Sequence, residues 1–69
     1  MTQQHHLADR FNRLQRGARY RAVTAAGVAV GEYLGMESLH GDHAILLRGA
    51  AGTASIARSD VTALEATPA

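Results

Sequence analysis

The sequence predicts a mainly β fold, a small five-stranded antiparallel barrel with an N-terminal α-helix. Three observations predict it. Five short runs rich in apolar and β-branched residues follow one another from Tyr20 to Glu65. The breaks between most of these runs carry glycine, which suits tight turns. The second run is itself interrupted by Gly31 and Gly35, the mark of a strand bent sharply enough to serve both sides of a small barrel.

The elements follow in order. Residues 1–6 are polar and are expected to form a flexible N-terminus. Residues 7–17 read as a helix, because Leu7, Phe11 and Leu14 follow an i, i+4, i+7 pattern that Ala18 extends. Asp9 sits in the first turn, where a carboxylate complements the helix dipole. Gly17 stands where a stop belongs. Arg10, Arg13 and Arg16 recur every three residues and give the helix a basic ridge.

Tyr20 to Thr24 suits a first strand, and Ala25-Ala26-Gly27 a turn. Val28 to Met36 reads as a long second strand with Val28, Val30, Leu34 and Met36 on one inward face. Leu39-His40-Gly41-Asp42 marks the next turn. His43 to Arg48 is the third strand, and its run Ala44-Ile45-Leu46-Leu47 implies burial on both faces. Residues 49–52 form a loop and Thr53 to Ala57 a fourth strand. Arg58-Ser59-Asp60 is a single tight turn that Asp60 is expected to cap. Val61 to Glu65 is the fifth strand, leaving residues 66–69 as a tail. One domain over 7–65 accounts for the chain, with no internal repeat or linker.

Composition narrows the function classes. A chain of 69 residues buries little surface alone, and small scaffolds add disulfides, metals or further copies. There is no cysteine, so a homo-oligomer is the expected device. Nothing resembles a signal peptide or a membrane-spanning run, and a soluble cytoplasmic protein without membrane contact is expected. All seven basic residues are arginine. Residues 1–21 carry a balance of +4 and residues 22–69 a balance of −3. That asymmetry points to a polyanion or an acidic partner, or to a helix docked on its own acidic sheet.

The segment from Gly27 to Leu64 resembles the Sm-like family, which includes the Sm and LSm proteins and bacterial Hfq. Gly31-Glu32-Tyr33-Leu34-Gly35-Met36-Glu37-Ser38-Leu39-His40 follows the course of the family's first motif, with Ala44-Ile45-Leu46-Leu47 as its apolar strand. Ile56-Ala57-Arg58-Ser59-Asp60-Val61 echoes the second motif. Glu37 and His40 stand where the family has aspartate and asparagine, and Arg58 stands in its glycine slot. The resemblance implies a leading helix, five bent strands, and binding of RNA bases near these positions. SH3-like barrels of the same pattern bind proteins instead.

Two ligand classes therefore stay open. For nucleic acid, Arg10, Arg13, Arg16 and Arg58 would contact phosphates, while Tyr33 or His40 would stack on a base. Solvated arginines, or ion pairs with Glu32, Glu37 or Glu65, and a Tyr33 packed in the core are the plainer readings. For a protein partner, Leu7, Phe11 and Leu14 would seat the helix in a groove of another chain.

No cofactor motif is present. His40, Asp42 and His43 lack diagnostic metal-ligand spacing, and His5-His6 lie at the terminus. Ser55, Ser59 and Asp60 form no nucleophile arrangement with a histidine, so no enzymatic activity is expected.

Overall fold

The computed structural model describes residues 9–39 and 41–67. A short helical segment over 9–12 leads into five antiparallel strands: β1 (Arg19–Thr24), β2 (Gly27–Leu39), β3 (Asp42–Gly49), β4 (Gly52–Ala57) and β5 (Val61–Ala66). A single 3-10 turn, Arg58–Asp60, joins β4 to β5. The hydrogen-bonded order is β4-β3-β2-β1-β5, which leaves β4 and β5 at the two ends of one sheet.

The helical segment ends at residue 12, short of the predicted end at residue 17. Arg13 N–H donates to Arg10 O at 3.1 Å, an i−3 bond that tightens the last turn. Beyond it, tertiary partners take the backbone groups a helix would have used. Gln15 N–H donates to the Tyr20 hydroxyl at 2.9 Å. Gly17 N–H donates to Tyr33 O at 3.0 Å, and Tyr33 N–H returns a bond to Ala18 O at 2.9 Å. Residues 17–18 thus prolong the β1 ladder along β2. Arg16 lies past the helix, so the three arginines do not share a helical ridge.

The core joins Phe11 to Ala22 of β1, Tyr33 of β2, Ile45 and Leu47 of β3, and Val61 and Leu64 of β5. Strands two places apart in the sheet share this cluster, so the sheet curls around it. Each large side chain buried here contributes roughly 1.5–3 kcal/mol. The Tyr20 and Tyr33 rings meet edge to face, with centroids 6.1 Å apart.

The predicted inward face of β2 is corrected. Val28 and Val30 are 53% and 45% exposed, while Ala29, Gly31 and Tyr33 turn toward the core. Further along the strand a bulge reverses the alternation. Pairing with β3 passes from Tyr33↔Leu47 to Gly35↔Leu46, so Leu34 is an extra residue on β2. Gly35 accommodates the bend with φ +146, a conformation costly for any other residue. After the bulge Met36 stands across from Ile45, on the side that Tyr33 occupied. The four residues predicted to share one face are therefore divided between two.

Small size, not apolarity, is the requirement at Gly31 and Gly49. A Cβ at Gly31 would lie 2.6 Å from Arg48 O, and one at Gly49 would lie 2.7 Å from Val30 O. β2 and β3 approach here more closely than side chains permit.

Candidate interaction surfaces

The aromatic rings are spent on the fold. Phe11 is 5% exposed and Tyr33 7%. Tyr20 packs against the same cluster, and its hydroxyl is engaged by Gln15. This corrects the expectation that Tyr33 offers a stacking face. His40, and Leu7 of the predicted partner-helix face, lie outside the described residues. The rest of that face is occupied: Phe11 is in the chain's own core and Leu14 packs against it. Side chains already buried intramolecularly cannot also seat the helix in a partner's groove.

Arg58 does not project into solvent as a free phosphate contact. Its guanidinium carbon sits 4.8 Å from the Phe11 ring centroid, within cation–π range. Arg10 and Arg13 are exposed and line a groove of about 320 Å³ with Asp9, Tyr20, Leu64 and Ala66. Arg13 pairs with Asp9 at 3.3 Å, an i, i+4 pair with both side chains mostly in water. Such pairs contribute at most about 1 kcal/mol. Arg16 lies over Gly35, its guanidinium 3.5 Å from where a Cβ on that residue would stand.

Charges cross the sheet in rows. Arg19 of β1 stands opposite Glu32 of β2, which stands opposite Arg48 of β3. Glu32 Oε1 accepts from Arg48 at 2.9 Å, and Glu65 Oε1 accepts from Arg21 at 2.9 Å. Among the described residues Arg19 makes no ion pair.

β4 is an end strand of a different character. From Gly52 to Ser55 every residue is exposed, and Thr53, Ala54 and Ser55 carry no charge. Among the described residues only β3 pairs with it. Its outward N–H and C=O groups form a template for another strand, and no charge or proline guards it.

Asp42 closes the β2–β3 turn against the 3-10 turn. Its carboxylate accepts the Ser59 hydroxyl at 2.7 Å, the His43 N–H at 2.7 Å and the Ser59 N–H at 3.3 Å. The Ser59 hydroxyl first, and the His43 amide second, hold its pKa below the ordinary 3.8. The predicted role of Asp60 is corrected, since no side chain caps that turn and Asp42 ties it down instead. Ser55 donates to Glu37 at 2.7 Å, so both serines serve carboxylates and neither is bonded to a described histidine.

Among the described residues no three His, Cys, Asp or Glu side chains converge on a point that would suit a metal. No helix among them is long and apolar enough to cross a membrane.

Sequence reasoning missed Arg19, Val28 and Val30 as surface residues. Reading the alternation of β2 from Ala29, Gly31 and Tyr33, rather than from the largest aliphatics, would have found the two valines. Comparison of the chain with family models, with curated proteins and with solved structures gives no match in any of the three.

Proposed function

We propose that this chain is a non-enzymatic Sm-like barrel that works as a self-associating protein-interaction module. The sheet curls toward a tube, and copies join where its two end strands meet, β4 of one against β5 of the next. The observation that carries this reading is the exposed, uncharged edge of β4. Pairing there would satisfy backbone groups that water otherwise solvates. A 69-residue domain also gains core-like burial by adding copies.

The test combines mass in solution with a proline scan of β4. Neighbouring residues of a strand direct their N–H groups to opposite sides, so of Ala54→Pro and Ser55→Pro one removes a bond to β3. The other removes only an outward donor. The variant that keeps the parent's circular dichroism should lose the edge-paired species and fall to a lower assembled mass. If the parent sediments as one chain at high micromolar concentration, the assembly reading fails.

A second reading rests on the surplus of arginine in the first 21 residues. Arg10, Arg16 and Arg19 are exposed and would track an RNA backbone through phosphates, without base stacking. Gel shifts with mixed-sequence RNA test it. Binding should weaken steeply with salt and vanish when Arg10, Arg16 and Arg19 become glutamine. Retention of parental affinity by that triple variant rules it out.

A further inference from the structure

We infer that the outward face of β1 and β2 is a two-fold interface that takes a second copy of this chain. The contact is separate from β4 edge pairing, because it uses side chains of the sheet face and not backbone groups of a strand edge.

Three cross-strand pairs define the face. Arg19 stands opposite Glu32, Arg21 opposite Val30, and Val23 opposite Val28. Directly opposed residues of an antiparallel pair share one side of the sheet. The pairs Tyr20↔Gly31 and Ala22↔Ala29 alternate with them and face the core. The outward side therefore runs from a charged end at Arg19 and Glu32 to an apolar end at Val23 and Val28. Val28 and Val30 are two of the three most exposed large hydrophobics among the described residues.

The identity of the occupant follows from charge. Consider a two-fold axis running along the strands, between β1 and β2. It lays β1 of one copy over β2 of the other, at sheet-to-sheet spacing of about 10 Å. Arg19 then meets the second copy's Glu32, and Val23 meets the second copy's Val28. Each contact occurs twice, as an isologous interface requires.

The free chain leaves Arg19 in need of such a partner. Glu32 is directly opposite, yet its bonded oxygen is turned to Arg48 on the other flanking strand. The second carboxylate oxygen remains an acceptor for a guanidinium from outside. Arg21 stands in the middle of the face, opposite Val30, and its guanidinium is drawn sideways to Glu65 of β5, which leaves its aliphatic stem to lie over the second copy's Val30. A face whose two columns are complementary at both ends, charge to charge at Arg19 and Glu32 and valine to valine at Val23 and Val28, fits its own copy.

Charge reversal and mixing test the inference by sedimentation of the full chain. Arg19→Glu places two carboxylate–carboxylate contacts in the interface, and Glu32→Arg places two guanidinium–guanidinium contacts. Each variant alone should self-associate at least about tenfold more weakly than the parent. An equimolar mixture of the two should regain a two-copy species, since the carboxylate introduced at position 19 of one copy then meets the guanidinium introduced at position 32 of the other. Val28→Asp should weaken the contact in the same way, while circular dichroism confirms that each variant is folded. In the β4 proline variant the two-copy species should persist, which separates this contact from edge pairing. Parent-like association of both charge variants would overturn the inference, as would a folded mixture that stays monomeric. Edge assembly would survive either result.

Discussion

Arg58 lies over the ring of Phe11, with the guanidinium carbon 4.8 Å from the centroid. One residue comes from the 3-10 turn between β4 and β5, the other from the N-terminal helical segment. Phe11 plugs the core from one side and Arg58 covers its outer surface. This contact ties the start of the chain to its last connection.

Phe11→Ala should cost about 3–5 kcal/mol, a large share of what a domain this small possesses. Arg58→Ala should cost only about 0.5–1 kcal/mol, because a cation on an aromatic face at a half-exposed site contributes little more. Urea unfolding followed by circular dichroism separates the two. Equal losses would mean that the ring is not the plug it is taken for.

The Asp42–Ser59 contact makes stability fall in acid. A carboxyl held below its ordinary pKa contributes stability above the unfolded value of 3.8 and loses it as pH drops through the folded value. The parent's melting temperature should therefore decline below about pH 4. Ser59→Ala removes the largest cause of the shift and should flatten that decline. Carboxyl titration by NMR should show Asp42 moving up toward 3.8 in the variant. An unchanged titration would assign the shift to the His43 and Ser59 amides and the His43 charge instead of the hydroxyl.

Gly31→Ala should destabilise the fold by about 1–3 kcal/mol, the usual cost of forcing atoms into a packed site. Its new methyl carbon would meet Arg48 O at 2.6 Å, and backbone cannot swing aside as a side chain would. Gly27→Ala meets no atom within 4 Å, so only its backbone conformation resists. Thermal melts of both variants decide the matter. A Gly31→Ala melt at the parental temperature would show that β2 and β3 are not in such close approach.

Much of the strand order is legible in the sequence. The predicted runs Val61 to Glu65 and Thr53 to Ala57 lie within a residue of β5 and β4, because their turns are marked by local chemistry. The tight turn at Arg58-Ser59-Asp60 is a 3-10 turn of the same three residues. Local pattern fails where distant partners decide. The helical segment ends early because the Tyr20 hydroxyl and Tyr33 carbonyl claim Gln15 and Gly17. Tyr33 is buried because the bend at Leu34 and Gly35 folds the sheet over it, and no window around Tyr33 reveals that. The arginine surplus is plain from the sequence. Its partition among Asp9, Glu65, Glu32 and the Phe11 ring depends on which strands are neighbours.

The bulge on β2 has a consequence for how this chain tolerates change in length. Every described neighbour of Leu34 in the strand is matched to a partner on β1 or β3, whereas Leu34 is skipped. Loss of any matched residue would swap inside for outside along the remainder of the strand. Loss of Leu34 would leave every side chain on its own side and merely straighten the ribbon. The curvature of the molecule is thus stored in one dispensable count, and its removal would uncover the core without scrambling it.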